Sequence, residues 1–195
     1  WCEQAGLKAV VDLHILRSHH FNQTDVPVLY TDPAAARHFA DLWRDLSAVL
    51  APRPTHAVAY ELLNEPVAPD PEDWNRVALG ALAAVREREP ERTVVLGSNN
   101  FQSCDTFDSL RVPDRDQEPG ERLILSCHFY RPMFVTHYRA PWWRGGCDYD
   151  GPVQYPGRPI PEETFAALPA EKQQAWTPVS VNLIPRITRP CPERV

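Results

Sequence analysis

Apolar positions along the chain follow two alternating rhythms. "LKAVVDLH" (7–14), "HAVAYELLNE" (56–65), "RTVVLGSNN" (92–100) and "ERLILSCHFY" (121–130) are short, near-continuous apolar runs, which predict strands covered on both faces. Between the first two, "DPAAARHFADLWRDLSAVL" (32–50) puts Ala36, Phe39, Ala40, Trp43, Leu46 and Leu50 at helical spacing. Asp32 and Pro33 supply its cap and first turn. "PEDWNRVALGALAAVREREP" (71–90) predicts a second helix, with Trp74, Val77, Leu82 and Val85 inward and charge at its end. The link over 101–120 is short and polar, with room for at most one helical turn. After Tyr130 the chain is rich in Pro, Gly and aromatics. "PEETFAALPAEKQQAW" (161–176) then reads as helical despite Pro169, and the tail, 177–195, holds only a weak strand, "VSVNLI".

Strands apolar on both faces and separated by helices predict an α/β fold with a parallel sheet. Periodicity leaves doubly wound and barrel forms open. No G-x-G-x-x-G follows a strand, so a dinucleotide site has no support. At 195 residues, with 43% hydrophobic and 24% charged positions, the chain is long enough for one globular domain over 1–195. A net charge of -6 and a pI near 5.6 count against nucleic-acid and anionic-membrane partners. No apolar run approaches a membrane span. The five cysteines (Cys2, Cys104, Cys127, Cys147, Cys191) form no C-x-x-C pair, so neither a zinc site nor a disulfide framework is expected. No metal or cofactor is implied, and the oligomeric state is left open. The chain opens Trp1-Cys2-Glu3, with no signal peptide visible.

Parallel α/β folds carry their chemistry at the carboxyl ends of the strands. Each predicted strand ends on polar groups: His14, then Asn64 and Glu65, then Asn99 and Asn100, then His128 and Tyr130. One such ending is ordinary; four in succession suggest a single polar rim. "VVDLH", "YELLNEP" and "CHFY", in this order, resemble strands 3, 4 and 6 of glycoside hydrolase family 5, the cellulase and mannanase family of (βα)8 barrels. "HFYRPMFVTHYRAPW" is similar to the loop after strand 6 in cellulase-type members. The resemblance reaches about residue 160 and implies a partial TIM barrel, about strands 3 to 6 with their helices. It implies retaining hydrolysis of O-glycosidic bonds by two carboxylates roughly 5–5.5 Å apart. By the motif Glu65 matches the acid/base and Asn64 the residue that bonds the sugar 2-hydroxyl. His14, His128 and Tyr130 match the rim that holds substrate. The implied partner is a β-linked polysaccharide or oligosaccharide, and the implied setting is secreted or extracellular.

The departures matter as much. The family's nucleophile is a glutamate ending strand 7 in a Gly-Glu-aromatic-Gly context, and none follows Tyr130. Glu162 and Glu163 start the 161–176 segment, Glu171 lies inside it, and Glu193 sits in "PCPERV". A strand-2 arginine and a strand-8 tryptophan also lack a place, and a whole barrel takes about 250 residues. The chain therefore reads as an incomplete catalytic domain, barrel-like over 1–176 with an irregular tail. It should hydrolyse little alone, and its open sheet edges predict poor solubility. The alternatives are a non-catalytic carbohydrate-binding remnant, a β-mannanase or other related barrel glycosidase, and a non-functional truncation product.

Bland readings accompany several residues. Glu61, sharing a face with Glu65, and Asp12, below His14, are expected to be buried structural acids paired with arginines. His19 and His20 are expected in a solvated loop. Trp43 and Trp74 belong to the core. For Trp142, Trp143, Tyr138, Phe134 and His137, stacking on sugar rings and a loop packing on itself are equally open.

Overall fold

The computed structural model describes residues 1–113, 122–143, 149–170 and 173. "VSVNLI", Glu171, Glu193, Cys147 and Cys191 lie outside them. Two compact units divide the chain, Trp1–His128 and Phe129–Val195.

The first unit is built on a parallel sheet of four strands in sequence order: β1 (Ala9–Asp12), β2 (Val58–Glu61), β3 (Val94–Gly97) and β4 (Leu123–Ser126). The register sets Asp12 beside Glu61 and Gly97 beside Ser126, so the polar strand ends emerge side by side. Parallel pairing demands crossovers, and helices supply the first two. α1 (Val28–Thr31) and α2 (Pro33–Leu50) join β1 to β2, and α3 (Pro71–Arg86) joins β2 to β3. In the described part of the third link stand a tight turn, α4 (Asn99–Gln102), and a six-residue 3-10 helix (Cys104–Ser109), more than the single helical turn its sequence suggests.

The helices start where the sequence places caps. Asp32 accepts a hydrogen bond from the Ala34 amide and Asp70 from the Glu72 amide, both at 2.8 Å. Each such cap stabilises a helix by about 1 kcal/mol. Phe39 and Trp43 of α2 and Trp74, Val77, Leu82 and Val85 of α3 are buried against Tyr60, Leu62, Val94 and Leu96. The two tryptophans are also pinned: Trp43 Nε1 donates to Leu62 O at 3.0 Å, and Trp74 Nε1 to Gly97 O at 2.9 Å. All four residues of β3 are buried, whereas Val10 of β1 and Ile124 and Leu125 of β4 stay exposed at the sheet margins.

One boundary differs from expectation in an informative way. α3 ends at Arg86 rather than at 90, and of the charges beyond it Glu89 and Arg92 turn inward while Glu87, Arg88 and Glu91 stay exposed. Arg86, Glu89 and Arg92 are buried at the amino ends of the strands. Glu89 accepts from Ser47 Oγ, Tyr60 OH and Arg92 Nε, each at 2.7 Å. Arg92 also donates to the carbonyls of Arg53, Pro54 and Val58, and Arg86 to those of Arg92 and Arg122. Carbonyls that lead into β2 and β4, and the Arg92 carbonyl ahead of β3, are thereby satisfied by guanidinium groups.

Among its described residues the second unit includes the short helices α5 (Met133–Thr136) and α6 (Glu162–Ala166). Phe134 and Ile160 form its small core, with Trp143, Tyr149, Val153, Phe165 and Leu168 packed around them. The helix expected over 161–176 is interrupted: α6 ends ahead of Pro169, which lacks an amide hydrogen and restrains the residue before it, and Ala170 and Gln173 are again helical.

Candidate active site

The ladder between β1 and β2 continues loosely beyond the strands. Leu13 N donates to Glu61 O at 3.4 Å and Asn64 N to Leu13 O at 3.2 Å. His14 and Asn64 are thus carried out on adjacent strand ends, with Asn64 buried and the His14 side chain 60% exposed. Beyond Asn64 the backbone turns sharply, and Glu65 takes a left-handed φ of 48°. Non-glycine residues accept that conformation at a cost of about 1 kcal/mol or more, and they cluster at functional sites. The turn aims the Glu65 carboxylate at His128, whose Nδ1 lies 2.7 Å from Oε1. Only 13% of the Glu65 side chain and 23% of the His128 side chain is exposed. A carboxylate and an imidazole at that separation are hydrogen-bonded.

Gln102 organises this end of the sheet, and the sequence reading passes it over as part of a polar link. The residue is wholly buried. Its Oε1 accepts from Glu65 N at 2.8 Å, and its Nε2 donates to Glu61 Oε1 at 3.0 Å and Ser126 Oγ at 3.3 Å. Its carbonyl accepts from His128 N at 2.9 Å. The signal in the sequence is Gly97, a glycine inside an apolar strand. A Cβ at Gly97 would stand 2.3 Å from Gln102 Cγ, so the missing side chain makes room for the amide.

Several expectations change here. Glu61 is held by the Gln102 amide rather than by an arginine, and Asp12 by His14 Nδ1 at 2.8 Å. The register explains it: both acids sit at the carboxyl ends of their strands, next to the polar rim, whereas the buried arginines serve the opposite end. His19 is fully buried rather than solvated, edge-on to Tyr30 at 5.8 Å. Reciprocal backbone bonds between Leu16 and His19 close a tight turn that folds the ring inward. Burial first, then the charge of His20, holds His19 down to about 4, and neither ring nitrogen has a hydrogen-bond partner among the described residues. Asn99 leaves the rim as well. Its amide clasps the backbone of Ala68, accepting from N at 2.8 Å and donating to O at 2.9 Å.

An open pocket of about 240 Å³ adjoins these strand ends, lined by Phe21, Gln23, Asp25, Asn100 and Phe101 among others. Phe21 lies edge-on to His14 at 5.7 Å, and the Phe101 amide donates to Pro66 O at 3.1 Å. Among the described residues no group of three or more His, Cys, Asp or Glu side chains could hold a metal ion, and Cys2 and Cys127 are free thiols. No helix of the described residues is long and apolar enough to cross a membrane.

The remaining predicted site residues lie in the second unit. Tyr130 is 42% exposed and meets His137 edge-on at 5.0 Å. Trp142 is 73% exposed, while Trp143 packs edge-on against Phe134 at 4.8 Å. The two tryptophans thus differ in environment. Glu162 and Glu163 open α6, as their sequence context suggests.

Comparison with known proteins adds what geometry alone does not carry. The family model for cellulase, glycosyl hydrolase family 5, matches residues 1–176. Endoglucanase C of Acetivibrio thermocellus is 34% identical over 158 residues, which cover 81% of this chain and 44% of that protein. Cellodextrinase A of Ruminococcus flavefaciens is 28% identical over 144 residues, 72% of this chain and 41% of that protein. A mutant form of Thermotoga maritima Cel5A, in complex with cellobiose, superposes with a TM-score of 0.60 at 25% identity. That match covers 73% of this chain and 45% of the other. The chain spans less than half the length of these relatives. Its four parallel strands and their helices are part of a (βα)8 barrel. With its strand ends described and 1–176 matched throughout, the chain belongs to the cellulase family, glycosyl hydrolase family 5.

Proposed function

We propose that the chain is part of the catalytic domain of a retaining, endo-β-1,4-glucanase-like glycoside hydrolase, with Glu65 as its proton donor. The observation that carries this reading is the Glu65–His128 pair at 2.7 Å, shielded from solvent at the carboxyl end of a parallel sheet. Glu65 would protonate the glycosidic oxygen as the bond to the anomeric carbon breaks, and then take a proton from the water that releases the sugar. His128 exchanges hydrogen-bond character with that carboxyl as its charge changes. Asn64 serves the sugar 2-hydroxyl, His14 and Tyr130 the substrate hydroxyls, and Trp142, and less openly Trp143, the ring faces. The attacking carboxylate is assigned outside residues 1–195, since Glu162 and Glu163 open a short helix and end no strand. We read 1–176 as the barrel-like portion of one incomplete domain.

Glu65→Gln tests the assignment in an enzyme that joins this chain to its strand-7 glutamate. The expected loss in kcat/KM on cellulose is roughly 10²–10⁴-fold, with much less in kcat/KM on aryl glycosides whose leaving groups need no proton. Equal losses on both substrates would remove Glu65 from the acid role. Residues 1–195 alone should bind cello-oligosaccharides and turn nothing over; cellulose hydrolysis that Glu65→Gln abolishes would overturn the external nucleophile. Glucomannan in the same assay separates a glucanase from a mannanase.

The second reading, a carbohydrate-binding remnant, draws on the open ring of Trp142. Binding lost in Trp142→Ala, with no turnover in any form of the protein, favours it.

A further inference from the structure

Two backbone amides set the geometry of the Glu65–His128 pair, because each side chain leaves the backbone at a residue outside the regular ladder. Both amides bond to the same residue. The Glu65 amide donates to the side-chain Oε1 of Gln102, and the His128 amide donates to its main-chain carbonyl. The Gln102 side chain has one permitted orientation. Its NH2 end faces Glu61 Oε1 and Ser126 Oγ, and its oxygen faces an N–H. Reversing the amide would set an oxygen against the Glu61 carboxylate and an NH2 against the Glu65 N–H, losing two bonds in a buried place. Glu61 therefore acts as the lock on the amide, which explains an acid on the inner face of β2. The backbone itself is bent to deliver this contact: Asn100, Phe101 and Gln102 have φ of 54°, 61° and 55°, three successive left-handed residues without a glycine among them. Gly97 completes the device by leaving space for the side chain.

We propose that Gln102 is the positioning residue of the Glu65–His128 pair, fixing the proton donor with its side chain and the histidine with its main chain. The role rests on the reading of Glu65 as proton donor; the juxtaposition itself is testable without turnover. Gln102 touches neither the carboxylate nor the ring that would meet substrate. It acts through the backbone of both, so its loss should loosen the pair before it unfolds the sheet.

The test is NMR on the 15N-labelled chain. The ring Nδ1–H of His128 should give a downfield, slowly exchanging resonance that Glu65→Gln removes. In Gln102→Met, which keeps the shape and loses the amide, that resonance should vanish and the Glu65 amide should exchange with solvent roughly tenfold faster. Gly97→Ala should do the same with Gln102 chemically intact, by pushing its side chain aside. Val77→Ala, a packing loss in α3 away from the pair, should lower the melting temperature and leave both signals in place. If Gln102→Met does not fold, Glu61→Met replaces it: removing the acceptor of the Gln102 amide should speed exchange at Glu65. An unchanged ring resonance in a folded Gln102→Met, equal loss in Val77→Ala, unchanged exchange in Glu61→Met, or no Glu65-dependent resonance in the parent would each overturn the proposal. Absence of sugar binding and hydrolysis with these signals behaving as expected would instead sink the glycosidase reading.

Discussion

Glu89 and Glu65 are the centres of two carboxylate networks at opposite ends of one sheet, and they are solved differently. At the amino ends of the strands Glu89 meets the permanent charge of Arg92 and the hydroxyls of Ser47 and Tyr60, with the Arg92 side chain fully buried. Burial, and then Glu89, push the Tyr60 phenol up, so that hydroxyl stays a donor. At the carboxyl ends Glu65 meets a titratable ring and a neutral amide, and part of it is open to solvent. The first arrangement is suited to holding strands together, and the second is the one proposed above to move a proton. Barrels of this type divide stability and chemistry between their two ends in the same sense.

The largest expected effect breaks the fixed end. Glu89→Gln leaves the Arg92 guanidinium buried without its counter-charge, which should lower unfolding free energy by about 3–5 kcal/mol in urea melts. Glu65→Gln, tested alongside, should stay within about 1 kcal/mol of the parent, since it removes one hydrogen bond from a partly open site. Comparable losses would erase the distinction between the ends. The next effect concerns acid. His19 lies in the loop that follows β1, on the chemical end, and is held near 4 against an ordinary 6.5. Its folded value lies below its unfolded value, so protons favour the unfolded chain. The stability is present above pH 6.5 and is lost as pH falls towards 4, by on the order of 2–3 kcal/mol. His19→Phe should flatten that limb while keeping the edge contact with Tyr30; a limb that persists would locate acid sensitivity elsewhere. The smallest effect is at the surface. Arg44 pairs with Glu87 at 2.8 Å and with Asp41, all in solvent, so Arg44→Ala should leave the melting midpoint within replicate scatter.

The fold was legible because the sheet obliges its sequence. Strands buried on both faces need unbroken apolar runs, and helices covering them need the spacing seen at Phe39, Trp43, Trp74 and Val77. Asp32-Pro33 marks a helix start with its own chemistry. The candidate site was half legible. His14, Glu65 and His128 stand out as polar endings to apolar runs, and the register does bring Glu65 and His128 together. Gln102 did not stand out, because nothing local separates an amide that crosses to another strand from one in a solvated turn. Its reach depends on three left-handed residues, and only Gly97 hinted at a close approach. His19 was missed for a related reason: a two-residue backbone closure turned an apparently open histidine inward. Glu89 looked like part of a polar helix end and Arg92 like the start of a strand, because most of their partners are carbonyls and hydroxyls far along the chain.

The indoles of Trp43 and Trp74 carry one more consequence. Each belongs to a helix and bonds the backbone at or just after the strand that follows it, Leu62 O for α2 and Gly97 O for α3. The same fastening occurs twice, inside two successive helix–strand modules. Each module is therefore buttoned to itself, and its neighbours are joined by the strand ladder and by helix packing. In modular terms the seams of this chain fall before each helix. The pieces that travel as wholes, in recombination or in the stepwise growth of a repeating barrel, are a helix together with the strand that comes after it.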